Sequence, residues 1–109
     1  MKRYCLALDL KDDPELIREY VELHKNVWPE NIAGIKASGI TVMDLYITGN
    51  RLFMIMETSD DFSFEAKAAQ DASNAKVQEW EAFMNKFQQP LPWAKPGEKW
   101  VVMEQIFGL

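Results

Sequence analysis

At 109 residues the chain is sized for one domain, residues 1–109, with a core of its own and no room for a second. Hydrophobic residues make up 48% and charged residues 27%, which excludes extended disorder, and no run is long and neutral enough to span a bilayer. The net charge of −5 argues against a nucleic-acid partner, which needs clustered Lys and Arg to neutralise phosphates, and leaves a small neutral molecule or another protein chain.

The start, Met1-Lys2-Arg3-Tyr4, lacks the apolar core of a signal peptide, so a cytoplasmic protein is expected. Residues 3–10 read as a strand with Tyr4, Leu6, Leu8 and Leu10 on one face. Its Cys5 is the only cysteine, which excludes an internal disulfide; with one histidine it is too little for a zinc site of the usual soft ligands, and a small core residue is expected. Asp9, Asp12 and Asp13 read as turn and cap chemistry, Asp13 as an N-cap with Pro14 at the first helical position and Glu15 adding favourable charge. At about 100° per residue, Leu16, Ile17, Tyr20, Val21, Leu23, His24, Val27 and Trp28 share one sector. This predicts a helix that stacks Tyr20, His24 and Trp28 one turn apart on a buried face. Pro29 breaks or kinks it, residues 30–37 continue as a second helical piece with Ile32, Ala33, Ile35 and Lys36 on its inner side, and Ser38-Gly39 ends that piece.

Residues 40–48 and 51–58 read as a hairpin turning at Gly49-Asn50. Both faces of the hairpin are largely apolar, so helices must cover one side and a second copy of the chain is the simplest cover for the other. After Ser59-Asp60-Asp61, residues 62–71 read as a short helix; Asn74 caps another in which Val77, Trp80, Phe83, Met84 and Phe87 recur at helical spacing. Residues 88–97 contain Pro90, Pro92 and Pro96 and read as a loop folded against the body through Trp93, a candidate lid. Residues 99–107 form the last predicted strand. The order β-α-β-β-α-β is that of an α+β ferredoxin-like sandwich, two of which pair sheet to sheet in a dimeric α+β barrel.

His24 is the only imidazole and the only side chain that titrates unperturbed near neutral pH. A lone histidine on an amphipathic stripe is usually a satisfied core or boundary group. Its neighbours argue for more: Tyr20 offers a hydroxyl one turn away, and Trp28 and Trp80 offer flat apolar faces with a donor at one edge, which suits a sugar, although aromatics also dominate interiors. Asp44, Glu57 and Glu104 lie in predicted strands with apolar neighbours, where carboxylates either line a pocket or pair with Lys and Arg at a rim. No Gly-rich phosphate loop, Ser-His-Asp set or metal-ligand cluster is present. The residues alone reach a small-ligand pocket with one acid/base group.

The run Tyr20-x-x-x-His24-x-x-x-Trp28-Pro29-Glu30, the Gly39 turn, Leu52-Phe53 with Glu57, the helix holding Gln78, Trp80 and Met84, and the closing Glu104-Gln105-Ile106-Phe107 together resemble the L-rhamnose mutarotases, dimeric α+β barrel proteins acting on 6-deoxy sugars. The resemblance implies that His24 is the catalytic acid, that Tyr20 and Trp80 contact sugar, that the protein is a homodimer, and that no cofactor or metal is needed. It also implies two departures: Met43 stands where a second sugar-contacting tyrosine is typical, and Glu81 where a second tryptophan is. With the loop 90–97, which looks like a branch of the family linked with L-fucose use, these incline the expected substrate to L-fucose, with L-rhamnose close behind. Two other readings share the architecture: a cofactor-free or haem-degrading monooxygenase, and a non-catalytic sugar-binding dimer.

Overall fold

The computed structural model describes residues 1–109. Strand β1 (Lys2–Leu10) leads into helix α1 (Pro14–Leu23). The Asp13 carboxylate caps α1 by accepting from the backbone N–H groups of Glu15 at 2.9 Å and Leu16 at 3.3 Å, and Pro14 fills a position whose N–H would lack a helical partner. Helix α2 (Pro29–Ala37) and the hairpin β2 (Ile40–Thr48) and β3 (Arg51–Thr58) follow, then α3 (Phe64–Ala72), α4 (Ala75–Met84), and two short strands, β4 (Gln88–Gln89) and β5 (Val101–Val102). None of the helices is long and apolar enough to cross a membrane.

Three predicted elements are corrected: the first helix, the start of the helix read over 62–71, and the strand read over 99–107, of which only Val101–Val102 is regular. The helix does not run on from Tyr20 to Trp28: α1 stops at Leu23, His24 is its C-cap, and Trp28 is the residue before α2. Pro29 keeps Trp28 out of any such helix, because a residue preceding proline is driven out of the helical region and Trp28 sits at φ −56°, ψ 135°. Pro29 therefore starts a helix rather than kinking one, and the new start rotates α2. Its inner side is Asn31, Gly34 and Ile35, while Ile32 and Ala33 are exposed. Similarly, Ser63 caps α3 by accepting from the Ala66 N–H, which leaves Phe62 outside the helix and buried in the core.

The sheet is antiparallel in the order β2-β3-β1-β4, with β5 also on β1. Registered rows fix its faces. Tyr4–Met56–Met43, Leu6–Met54–Leu45 and Leu8–Leu52–Ile47 point to the helices, whereas Cys5–Ile55–Asp44, Ala7–Phe53–Tyr46 and Asp9–Arg51–Thr48 point away. On the helix side are two core clusters, one of Leu10, Tyr20, Leu52, Met84 and Phe87 and one of Leu6, Ile40, Met56 and Phe62; Trp100 packs against both. On the other face Asp9 is no turn residue. Its buried carboxylate takes two hydrogen bonds from Arg51, at 2.8 and 3.2 Å, and Trp93 lies against that guanidinium.

The fourth strand is split. Gln88 and Gln89 pair with Leu10 and Asp9, the prolines then carry the chain off the sheet, and only Val101 and Val102 return, pairing with Ala7 and Leu6. The loop is anchored by buried Leu91 and not by Trp93, which is 62% exposed. From Met103 onward the chain is exposed, without regular structure.

Gly39 closes α2 with φ +97°, and a Cβ there would meet Ser59 Oγ at 2.6 Å; Gly49 turns the hairpin at φ +56° with open space around it. Gly39→Ala is therefore expected to destabilise the fold by about 1–3 kcal/mol and Gly49→Ala by less, since only the first adds a clash to left-handed backbone. Urea unfolding checks this, and equal losses at the two positions would contradict the clash.

Candidate active site

Between α1, α2, α4 and the inner face of the β2–β3 hairpin lies an open cleft of about 1530 Å³. His24 is on its wall because α1 ends there. The last turn leaves the Tyr20 carbonyl weakly served, by the His24 backbone N–H at 3.3 Å, and His24 Nδ1 approaches the same oxygen at 2.8 Å. A carbonyl can only accept, so Nδ1 carries the hydrogen and neutral His24 presents a lone pair on Nε2. The Tyr20 ring packs on the imidazole with centroids 4.2 Å apart.

Trp80 completes the constellation from α4, which begins where the Asn74 side chain accepts from the N–H groups of Lys76 and Val77. Its indole meets His24 edge-on at 5.7 Å and Trp28 at 5.1 Å. Of the three predicted rings, Tyr20 and His24 meet directly, and Trp28 is joined to His24 by a fourth ring from another helix. Burial holds the His24 imidazole below its ordinary value of about 6.5, outweighing the Tyr20 carbonyl, which favours the protonated ring. Burial also pushes the Tyr20 phenol above its usual range, more than Gln88 beside it lowers it. Near neutral pH the site therefore holds a neutral imidazole and a protonated phenol.

Tyr20, His24, Met43, Trp80 and Glu81 all line this cleft. Met43 faces inward from β2, and the Glu81 carboxylate, half-buried next to Trp80, takes a long 3.4 Å hydrogen bond from Gln78 Nε2. Trp28 does not reach the wall. It stands behind Trp80 with Lys76 over its other side. Asp44 is exposed on the edge strand at the outer rim; Glu57 lies on the opposite sheet face, 3.9 Å from Arg3, and Glu104 is in the exposed tail. Sequence reasoning missed Asn31, Gln88 and Trp100 on the wall. Asn31 was recoverable from Pro29, since starting α2 at that proline places Asn31 and Gly34 on one side.

The family model for L-rhamnose mutarotase matches residues 3–109. The chain is 43% identical to the L-fucose mutarotase of Xanthomonas campestris pv. campestris, over 100% of this chain and 89% of that protein. It is 38% identical to a UPF0734 protein of Dictyostelium discoideum, over 99% and 90%. Among solved structures, an L-rhamnose mutarotase from Formosa agariphila superposes with a TM-score of 0.73 at 23% identity, covering 100% of this chain and 99% of that one. Tetracenomycin F2 cyclase from Streptomyces glaucescens, a type-II polyketide cyclase, does so with 0.56 at 15%, with the same coverage. These two likenesses establish the α+β barrel fold.

The single imidazole makes its titration directly readable. Its proton resonances are expected to give a midpoint below 6.5, and Trp80→Ala to move it upward by admitting water to the ring. A midpoint that stays put in Trp80→Ala would show that this indole does not desolvate His24.

Proposed function

The chain belongs to the L-rhamnose mutarotase family, and we propose that, as a sugar mutarotase, it interconverts the α and β anomers of a 6-deoxy sugar in the His24 cleft, preferring L-fucose to L-rhamnose. The observation that carries this reading is the tied imidazole: Nδ1 is committed to the Tyr20 carbonyl, and Nε2 is left to handle protons on the wall of an aromatic-lined cleft.

Anomer exchange needs one proton taken from the anomeric hydroxyl and one delivered to the ring oxygen. Neutral His24 takes the first onto Nε2 as the C1–O5 bond breaks and C1–O1 becomes a carbonyl; the imidazolium then gives that proton to the ring oxygen. Rotation about C1–C2 presents the other carbonyl face to the C5 hydroxyl, and the same steps reversed close the ring. Atoms and charge balance, and His24 ends as it began. The acid role toward the ring oxygen thus falls to His24, and so does the base role, because Asp44 is out on the rim and Glu81 is turned to Gln78. Tyr20, kept protonated by burial, donates a hydrogen bond to the sugar, while Trp80 covers its apolar face.

The preference for L-fucose is supported by Met43 and Glu81, which remove an aromatic face and add a carboxylate on the wall, and by the name of the 43% identical relative. A homodimer is part of the same reading. Val42, Tyr46, Phe53 and Ile55 leave apolar surface on the sheet face turned from the helices, and Ile106 and Phe107 project from the tail at 91% and 76% exposure. A second sheet packed on the first would cover that face.

Magnetisation-transfer NMR of anomer exchange tests the chemistry. His24→Ala is expected to lower kcat/KM for L-fucose by about a hundredfold or more, and equal rates in the two proteins would sink the assignment. In the wild type, kcat/KM should rise with pH through a midpoint below 6.5 and level off above it, because the neutral ring is the resting reactant. A profile falling over that range would make the imidazolium the starting form. Met43→Tyr combined with Glu81→Trp is expected to shift the ratio of rates toward L-rhamnose, and an unchanged ratio would count against these two positions.

A further inference from the structure

Three buried side-chain polar atoms in the molecule have no hydrogen-bond partner: Asn31 Nδ2, Asn31 Oδ1 and Gln88 Oε1. Both residues line the His24 cleft. Asn31 is 6% exposed on the inner side of α2, one turn before Gly34, and Gln88 opens β4 directly after the α4 turn, beside Tyr20. A buried carboxamide left unpaired costs free energy that leucine, of nearly the same size, would not cost. That all three such atoms in the chain belong to two residues on the wall of one cavity, buried just behind its surface, is not what packing for stability would produce.

We propose that Asn31 and Gln88 are the residues that read the configuration of the sugar's ring hydroxyls. This inference rests on the mutarotase reading above and deepens it. A carboxamide sets a carbonyl acceptor beside an amine donor, and two adjacent hydroxyls, each both donor and acceptor, match that pair. L-Fucose and L-rhamnose have the same configuration at C3 and C5 and differ at C2 and C4. In fucose the cis pair of hydroxyls is on C3 and C4; in rhamnose it is on C2 and C3. A carboxamide held rigidly on α2 engages one of these arrangements and leaves the other sugar's hydroxyl, and its own polar atom, unpaired. Asn31 and Gln88 therefore select by hydrogen-bond geometry, whereas Met43 and Glu81 alter the shape and charge of the wall.

The test uses the full chain with Asn31→Leu, and with Gln88→Met as a second variant of similar volume. Anomer exchange is measured with L-fucose, L-rhamnose and the 2-deoxy and 4-deoxy analogues of L-fucose. For the preferred sugar, kcat/KM is expected to fall about ten- to hundredfold in Asn31→Leu, but only a few-fold for the analogue lacking the hydroxyl that Asn31 reads. The ratio between those substrates then narrows by about tenfold or more. Without sugar, the thermal midpoint of Asn31→Leu should hold or rise, since an unpaired buried amide has been removed. An equal loss on every sugar, or no loss, in both variants overturns the proposal while a wild type active on 6-deoxy sugars leaves the mutarotase reading standing. Should Asn31→Leu fail to fold, Asn31→Asp and Gln88→Met decide by the same ratios. A wild type that exchanges neither L-fucose nor L-rhamnose overturns both readings.

Discussion

The contact between His24 Nδ1 and the Tyr20 carbonyl, at 2.8 Å, is the constraint from which the rest of the site follows. It exists because α1 ends at Leu23, and the chain leaves helical geometry between there and Trp28, which Pro29 holds in an extended conformation. In the tightened last turn the His24 N–H is shared between the carbonyls of Tyr20 and Val21, at 3.3 and 3.2 Å, so the Tyr20 oxygen can take a second donor. A ring tied at Nδ1 has one tautomer and one free nitrogen. Had the helix continued through Trp28, that carbonyl would have been served by the backbone alone. Two effects then compete for the ring's protonation. The helix C-terminus and the carbonyl favour the imidazolium, burial under Tyr20 and Trp80 favours the neutral ring, and burial wins.

The same proline determines what faces His24 across the cleft. Restarting the helix at Pro29 turns Asn31 and Gly34 inward, and the Gly34 carbonyl accepts from Gln70 Nε2 at 2.8 Å, which ties α2 to the α3–α4 layer. Trp80 enters from that layer. Trp100, arriving where the chain returns to the sheet, packs against both core clusters and closes the far wall. The cleft is thus bounded by parts of the chain distant in sequence.

The two sheet faces carry different chemistry. Toward the helices the rows are Leu, Met and Ile with Tyr4 at one end, and Tyr20 and His24 are polar tips above them; on the other face the Asp9–Arg51 pair lies under Trp93 beside apolar rows. An architecture of this kind hosts unrelated reactions, so the fold constrains where a ligand sits and not what happens to it. The chemistry is specified by one tied imidazole and by a few buried polar atoms whose hydrogen-bonding capacity the protein itself does not use.

Much of the architecture was legible before folding, where the governing forces act within a few residues. Asp13-Pro14 marks the start of α1, Gly49-Asn50 sets the hairpin, and Asn74 starts α4, each through a side chain or a backbone freedom belonging to its immediate neighbours. His24 stood out because it is unique, and its motif pointed to sugar chemistry. Other features depend on groups far apart in the chain. Periodicity treated Tyr20, His24 and Trp28 as one stripe; it placed Tyr20 against His24 correctly, but Trp28 is joined to them only through Trp80 across the core. Asp9 read as a turn residue until Arg51 met it across the sheet, and residues 99–107 read as the last strand with 88–97 as loop, although only Val101 and Val102 of the former pair with β1 and Gln88 and Gln89 of the latter do so too. That the carboxamides of Asn31 and Gln88 go unpaired was invisible for the same reason. Whether a carboxamide has a partner is a property of everything that surrounds it, and only the packed chain assembles those surroundings.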